Sequence, residues 1–278
     1  MEVDIHHLQS WVGREDTSCE TLSPSLAAQF DATFNIPSDT DPQDRAPLLI
    51  HWCLNQPIAP MSELGRDGHP ALGGFLPPVP LPRRMWAGGA IEFHDCIHIG
   101  DNVERHSVVS DVQLKHGRTG ALCFVTVNHE FSIAGRAVLS ERQDIVYRDL
   151  PKEGRTKALP EPAKIGTHSK VITPHPTLLF RYSAVTFNGH RIHYDKPFCI
   201  NTEGYPGLVV HGPMQATMLC QFAANLKGAP PKSFRFRSHA PLFDDTDFTL
   251  NAEATGDGMK LWTAAVGGPV AMEAVAVW

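Results

Sequence analysis

The sequence predicts an α+β protein of two successive units, each an antiparallel sheet wrapped around a helix. Three observations carry this. β-rich runs between Ala90 and Tyr147 are joined by glycine turns, as in an antiparallel meander. A second set of runs, from Ser233 to Val277, turns at Asp257-Gly258 and Gly267-Gly268, pairs that supply the positive φ of tight hairpins. Between the sets lies one long helical pattern. No clear sequence repeat relates the halves; it is the order of elements that matches. We read residues 1–150 as a first, non-catalytic unit that contributes a pocket loop, 151–165 as a linker and 166–278 as the unit carrying the chemistry.

In chain order, Ser23-Pro24 opens a helix, Ser as N-cap and Pro at its first position. Leu26, Phe30 and Phe34 give it an apolar stripe. Residues 38–44 are polar and form a loop. Leu48 to Leu54 is a short apolar run that fits the buried helix of the first unit. Met61 to Pro82 is rich in Gly and Pro, and a long loop inside a compact domain is often functional. Strands follow at Ile91–Phe93, Val103–Leu114, Leu122–Phe131 and Ala137–Tyr147, with a turn over residues 116–120. Asp149 to Ile165 is charged and carries prolines. The second half reads as a strand at Val171-Ile172, a helix over Thr173–Val185, and strands at Ser233–Phe243, Asp247–Ala254, Met259–Val266 and Val270–Val277.

Composition removes several function classes. The chain has 278 residues and a net charge of −6, which argues against a general nucleic-acid binder but not against a local basic patch. No apolar run approaches membrane-spanning length, and the start, MEVDIHHLQSW, lacks a signal layout. The six cysteines are scattered without a CxxC pair and read as reduced thiols in the cytosol.

The richest stretch is Phe187 to Gln221, FNGHRIHYDKPFCINTEGYPGLVVHGPMQATMLCQ. Asn188, His190, Arg191, His193, Tyr194 and Asp195 lead to a Gly204–Gly207 turn and the apolar Leu208-Val209-Val210. His211-Gly212-Pro213 then opens a helix, Pro standing where its missing N–H costs nothing. Met214, Met218, Leu219, Phe222, Ala223 and Leu226 recur at helical spacing, and Gly228 with Pro230-Pro231 ends it. A helix start presents free N–H groups and a positive dipole end, which stabilise charge forming on a carbonyl oxygen.

This stretch resembles the hydratase motif of the MaoC-like, hotdog-fold enoyl-thioester hydratases and dehydratases. More narrowly, FNGHRIHYD…GYPGLVVHGP is similar to the type-2 hydroxyacyl-thioester dehydratase branch, with hydratases of itaconyl-CoA and mesaconyl-CoA. The resemblance implies a double hotdog fold and hydro-lyase activity on an acyl-CoA. The common pattern has an Asp, a His five residues later, and a His-Gly pair opening the helix. Here Asn188 stands in place of the Asp, His193 is the His, and His211-Gly212 is the pair.

His193 is the main catalytic candidate, since imidazole moves protons near neutral pH; read without the motif, a lone His is more often structural. Asn188 cannot exchange protons but can hold water or substrate, or merely cap a turn. Gly212 is proposed as a backbone oxyanion donor. His190, Asp195, Arg191 and His211 are the supporting set; His193 either works alone or has Asp195 or His190 as its proton-transfer partner, and for Asp195 a supporting role, orienting an imidazole or pairing with Arg191, is favoured. In the loop region, one of Arg83 and Arg84 would face a substrate carboxylate, for which the guanidinium fork is suited, with Trp86 and Tyr205 beside it. Arg235 and Arg237 share one strand face, close to Lys232, and would meet CoA phosphates or simply be solvated. Fifteen histidines suggest metal, yet no Cys or Glu near His190 and His193 completes a zinc set, and no phosphate-cradling motif is present. The expectation is therefore no metal and no cofactor, CoA arriving as part of the substrate, no nucleic-acid or membrane partner, and a homodimer by habit of the fold. The function expected is reversible hydration of an enoyl-CoA, a branched five-carbon dicarboxylic monothioester giving citramalyl-CoA. The alternatives are a fatty-acid 3-hydroxyacyl-thioester dehydratase and a non-catalytic acyl-CoA-binding protein.

Overall fold

The computed structural model describes residues 3–37, 44–117, 120–149 and 161–278. Its first half holds α1 (Ile5–Gln9), β1 (Glu15–Thr21), α2 (Pro24–Phe34), β2 (Arg83–Phe93), β3 (Asn102–Gly117), β4 (Gly120–Ile133) and β5 (Arg136–Arg148). The second holds β6 (His168–Ile172), α3 (Pro176–Val185), α4 (Lys196–Asn201), α5 (Gly212–Lys227), β7 (Ser233–Ser238), β8 (Phe248–Thr255), β9 (Gly258–Ala265) and β10 (Val270–Val277).

All ten strands lie in one sheet, in the order β1-β3-β4-β5-β2-β7-β10-β9-β8-β6, and every pairing is antiparallel. Read from its two edges inward, the order is the same twice. β1, β3, β4, β5, β2 correspond to β6, β8, β9, β10, β7. The expected two units are therefore present as topology, joined where β2 meets β7. That seam needs bare backbone: a Cβ on Gly88 would strike the Phe236 carbonyl, and one on Gly89 would lie 2.8 Å from the Arg142 carbonyl. Pairing fuses the halves into one sheet, so the boundary near residue 150 separates topological units and not separate bodies.

α5 is buried almost all round, with Met214, Ala216, Leu219, Cys220 and Ala223 in the core, as a helix wrapped by a sheet must be. Its inward polar groups are satisfied: Thr263 Oγ1 donates to Gln215 Oε1 at 2.8 Å and Thr217 Oγ1 to the Pro213 carbonyl at 2.9 Å. Gly228 closes it in the left-handed region at φ +76°. The first half wraps differently. Residues 49–54 are buried and Leu48 is half-buried, but only Ile50–Cys53 coil, as a single 3₁₀ turn. Leu49 before it sits at φ +68° and Leu54 after it is extended, so neither end continues a helix.

α2 has its Ser23 cap, whose side chain accepts from Leu26 N at 3.1 Å. Three elements lie outside the sequence expectations: α1, β1 and α4, the last capped by Asp195. α1 is short, and β1 (EDTSCET) is polar and mostly exposed, forming because it pairs with β3 along its whole length. The strand expected over Ser233–Phe243 stops at Ser238, where the chain turns away and His239 and Ala240 N–H groups both donate to the Ala271 carbonyl. Most of the linker, the tip of the 116–120 turn and most of the 38–44 loop fall outside the described residues; of the linker, Ala163 and Lys164 bond to Gly268 and Trp262. No helix among the described residues is long and apolar enough to cross a membrane, and all six cysteines are free thiols.

Candidate active site

A cavity of about 1540 Å³ lies between the halves, lined from both. His193 lies on its wall, in the one-turn Arg191–His193 coil, and only 7% of the residue is exposed. Its Nδ1 is 2.7 Å from the Val209 carbonyl. A carbonyl only accepts, so the proton sits on Nδ1 and Nε2 carries the lone pair. Burial pulls its pKa down to about 4 against the Val209 hydrogen bond, with His69 adding to the fall. The ring is thus neutral near pH 7, the state a base needs.

His211 stacks on His193, ring centroids 3.6 Å apart and planes 18° from parallel. It is fully buried, shares a 2.9 Å hydrogen bond between Nε2 and Ser183 Oγ, and its Nδ1 has no partner among the described residues. Burial, then His193 and His190, hold its pKa well below the usual value. It therefore supports the neighbouring ring and does not line the cavity. Gly212, the first residue of α5, does line it. Its N–H lies beyond the reach of the helix's own carbonyls, and Pro213 has none.

Asn188 caps a turn, its Oδ1 accepting from His190 N at 2.9 Å, and the residue also lines the cavity. Asp195 is held twice: Oδ2 takes Arg191 Nε at 3.0 Å and Nη2 at 2.8 Å, and Oδ1 caps α4 through Phe198 N at 3.0 Å. Those bonds, Phe198 first, lower its pKa. Of the two supporting roles expected for it, the structure shows the pairing with Arg191, and no imidazole of the described residues is bonded to it.

The Gly/Pro-rich loop docks onto this motif. Arg191 N donates to the Asp67 carbonyl at 2.9 Å and Arg191 Nη1 to the Arg66 carbonyl at 3.1 Å. Gly68 and Gly189 meet backbone to backbone so closely that a Cβ on either would collide with the other's carbonyl. Docking brings in two residues not singled out from the sequence. Asp67 Oδ2 is 2.8 Å from His69 Nδ1 and its Oδ1 accepts His69 N at 3.1 Å. The His69 ring lies 4.1 Å from His190, which lies 5.3 Å from His193. Burial lowers the pKa of His69 against Asp67, with Arg84 assisting. Burial, then His69 and His193, lower that of His190. Donor atoms of Asp67, His69 and His190 lie within 4.8 Å of one another, a spacing a small cation would accept. Both Asp67 oxygens are nevertheless already engaged with His69.

The arginine pair splits, because neighbours on a strand face opposite ways. Arg84 lines the cavity and forms no ion pair among the described residues. Arg83 does not line it: Nε pairs with Glu203 Oε2 at 3.2 Å, Nη2 donates to the Glu203 carbonyl, and the guanidinium lies over the Tyr205 ring at 4.6 Å. In this structure Arg83 thus ties β2 to the 203–205 turn, and of the two arginines it is Arg84 that lines the cavity. Tyr205 and Trp86 do line the cavity. Arg235 and Arg237 share the exposed face as expected, yet only Arg237 reaches the cavity rim. Arg235 faces a separate shallow surface with Glu92 and Glu130, and Lys232 is exposed away from both. The two arginines are separated along the strand by Phe236 alone, and that offset carries Arg235 past the opening. The first half also contributes a buried Glu141, 2.8 Å from Trp52 Nε1, 3.0 Å from Gln143 Nε2 and 3.3 Å from His51 Nε2. Nothing local in the sequence marked it.

Residues 49–244 match the family model for hydroxyacyl-thioester dehydratase type 2. The chain belongs to this family. Among its relatives is a mesaconyl-C(4)-CoA hydratase of Chloroflexus aurantiacus, 41% identical over 273 residues and 95% of each chain. Among solved structures, a MaoC-like dehydratase of Phytophthora capsici superposes with a TM-score of 0.70 at 15% identity, covering 99% of both chains. A Mycobacterium tuberculosis protein described as having a double hotdog fold superposes with a TM-score of 0.56 at 14% identity, over 96% of each chain. The fold of the chain is thus the double hotdog, with the first unit's helix reduced to a turn.

Proposed function

We propose that the protein reversibly hydrates an α,β-unsaturated acyl-CoA without a metal or other cofactor, the substrate being a branched five-carbon dicarboxylic monothioester, itaconyl-CoA or mesaconyl-CoA, and the product citramalyl-CoA. One observation carries the reading. A single cavity offers His193 with a free Nε2, the Gly212 N–H at a helix start, and Arg84 without an ion-pair partner. His193 activates water for the β carbon. The Gly212 N–H and helix dipole meet the negative charge that grows on the thioester oxygen. Arg84 takes the distal carboxylate by a charge-assisted fork. The acyl-CoA in the name of the Chloroflexus relative supports the same class.

The test is hydration of itaconyl-, mesaconyl- and crotonyl-CoA side by side, with His193→Ala and Arg84→Ala beside the wild type. Preference for the dicarboxylic thioesters, weakened by Arg84→Ala and abolished by His193→Ala, supports the reading. Preference for crotonyl-CoA moves the protein to monocarboxylic substrates. Thioester binding without turnover leaves a binding protein.

A further inference from the structure

We propose that His69, held by Asp67, is the second proton-transfer residue of the site, exchanging the proton at the α carbon while His193 serves the oxygen at the β carbon. This rests on the hydratase reading and adds to it a catalytic residue from the first half. Within the hydratase stretch His190 lines the cavity and can pass a proton on, yet no carboxylate of the described residues is hydrogen-bonded to its ring. Asn188 cannot titrate, Asp195 is tied to Arg191 and α4, and His211 lies behind His193.

His69 has what that role requires. It lines the same cavity as His193, whereas Asp67 stands behind it. Asp67 holds Nδ1 and the backbone N–H of His69 with separate oxygens, which fixes the ring and leaves Nε2 as its lone-pair nitrogen. Of the rings clustered here, it alone is hydrogen-bonded to a carboxylate, the partner that stabilises an imidazolium as it forms. The backbone contacts of Gly68 with Gly189, and of Arg191 with Asp67, set this geometry from a distant part of the chain. His190 sits between the two ends, 4.1 Å from His69 and 5.3 Å from His193 by ring centres.

The step balances with no co-reactant. In dehydration, His69 Nε2 takes the α proton, and the C–H electron pair moves into the enolate whose oxygen faces Gly212. The proton passes through His190 to His193. The enolate pair then forms the Cα=Cβ bond as the Cβ–O bond breaks, and the departing oxygen leaves with the C–O pair and the proton from His193, as water. Hydration is the reverse.

The experiment uses whichever of the three enoyl-CoAs the wild type hydrates. His69→Ala is expected to lose about 10²–10⁴-fold in kcat with KM within about threefold, and added imidazole is expected to restore part of it. Asp67→Asn, which keeps the hydrogen-bonding shape but not the charge, falls between wild type and His69→Ala. Thermal unfolding of each variant separates this from loss of the loop. Normal kcat in His69→Ala overturns the proposal. So does a loss that imidazole leaves untouched while KM rises and the unfolding temperature drops. Inactivation of wild type by a chelator, reversed by zinc, puts a cation at Asp67, His69 and His190 instead. If wild type hydrates none of the thioesters, the hydratase reading itself fails.

Discussion

His193 and His211 lie face to face at 3.6 Å, both buried, both held neutral by their surroundings. The stack keeps the His193 ring in one plane while the Val209 carbonyl fixes its tautomer, so the orientation of Nε2 is set before any substrate arrives. His193→Gln should therefore remove the base without emptying the space. Hydration should fall by about 10²–10⁴-fold, with thioester binding retained, as read by steady-state kinetics and by isothermal titration with a saturated acyl-CoA.

The same burial gives a pH signature in stability. His193 binds a proton at about 4 when folded and near 6.5 when unfolded. At pH above both values neither state is protonated and the group contributes no pH dependence. Between them the unfolded chain holds the extra proton, so folded-state stability falls as pH drops through this window, by about 1.4 kcal/mol per pH unit for each such proton. His190, His211 and His69 shift in the same direction and steepen the fall. Denaturant unfolding from pH 7 to 4.5 should show it, and His193→Gln should flatten the slope. An unchanged slope in that variant would mean that the ring is solvated.

Much of this was legible because it is local. Ser23-Pro24 and Gly228 mark helix ends through backbone chemistry carried by those residues, and the His193 and His211-Gly212 spacing follows one short stretch. What escaped depends on distance along the chain. β1 is polar and becomes a strand only through pairing with β3. His69 and Asp67 gain their neighbours only when Gly68 meets Gly189, and Glu141 meets His51 only across the sheet. The sequence pointed to one of Arg83 and Arg84 without saying which, and strand alternation puts only Arg84 on the cavity.

Gly68 tests the docking directly. It has φ +87° and no room for a Cβ against the Gly189 carbonyl. Gly68→Ala strains the backbone and pushes the loop away from His190, at a cost of about 1–3 kcal/mol. Activity should fall through both kcat and KM, because His69 and the cavity wall move together. Gly74, whose added Cβ meets nothing within 4 Å, is the control: Gly74→Ala should leave both parameters near wild type.

The arginines should separate just as cleanly. Arg84→Met removes a cavity guanidinium that no carboxylate of the described residues engages, so the fold loses little. A lost charge-assisted hydrogen bond to a ligand is worth about 1.5–3 kcal/mol. On that scale kcat/KM for a dicarboxylic thioester should drop by roughly 10–100-fold, with crotonyl-CoA almost unaffected. Arg83→Met instead strands Glu203, whose side chain is 15% exposed beside a guanidinium at 10%, and frees the turn under Tyr205. Its effect belongs in thermal unfolding, with the ratio of dicarboxylic to monocarboxylic turnover held. A change of that ratio in Arg83→Met, with none in Arg84→Met, would reverse the assignment of the two side chains.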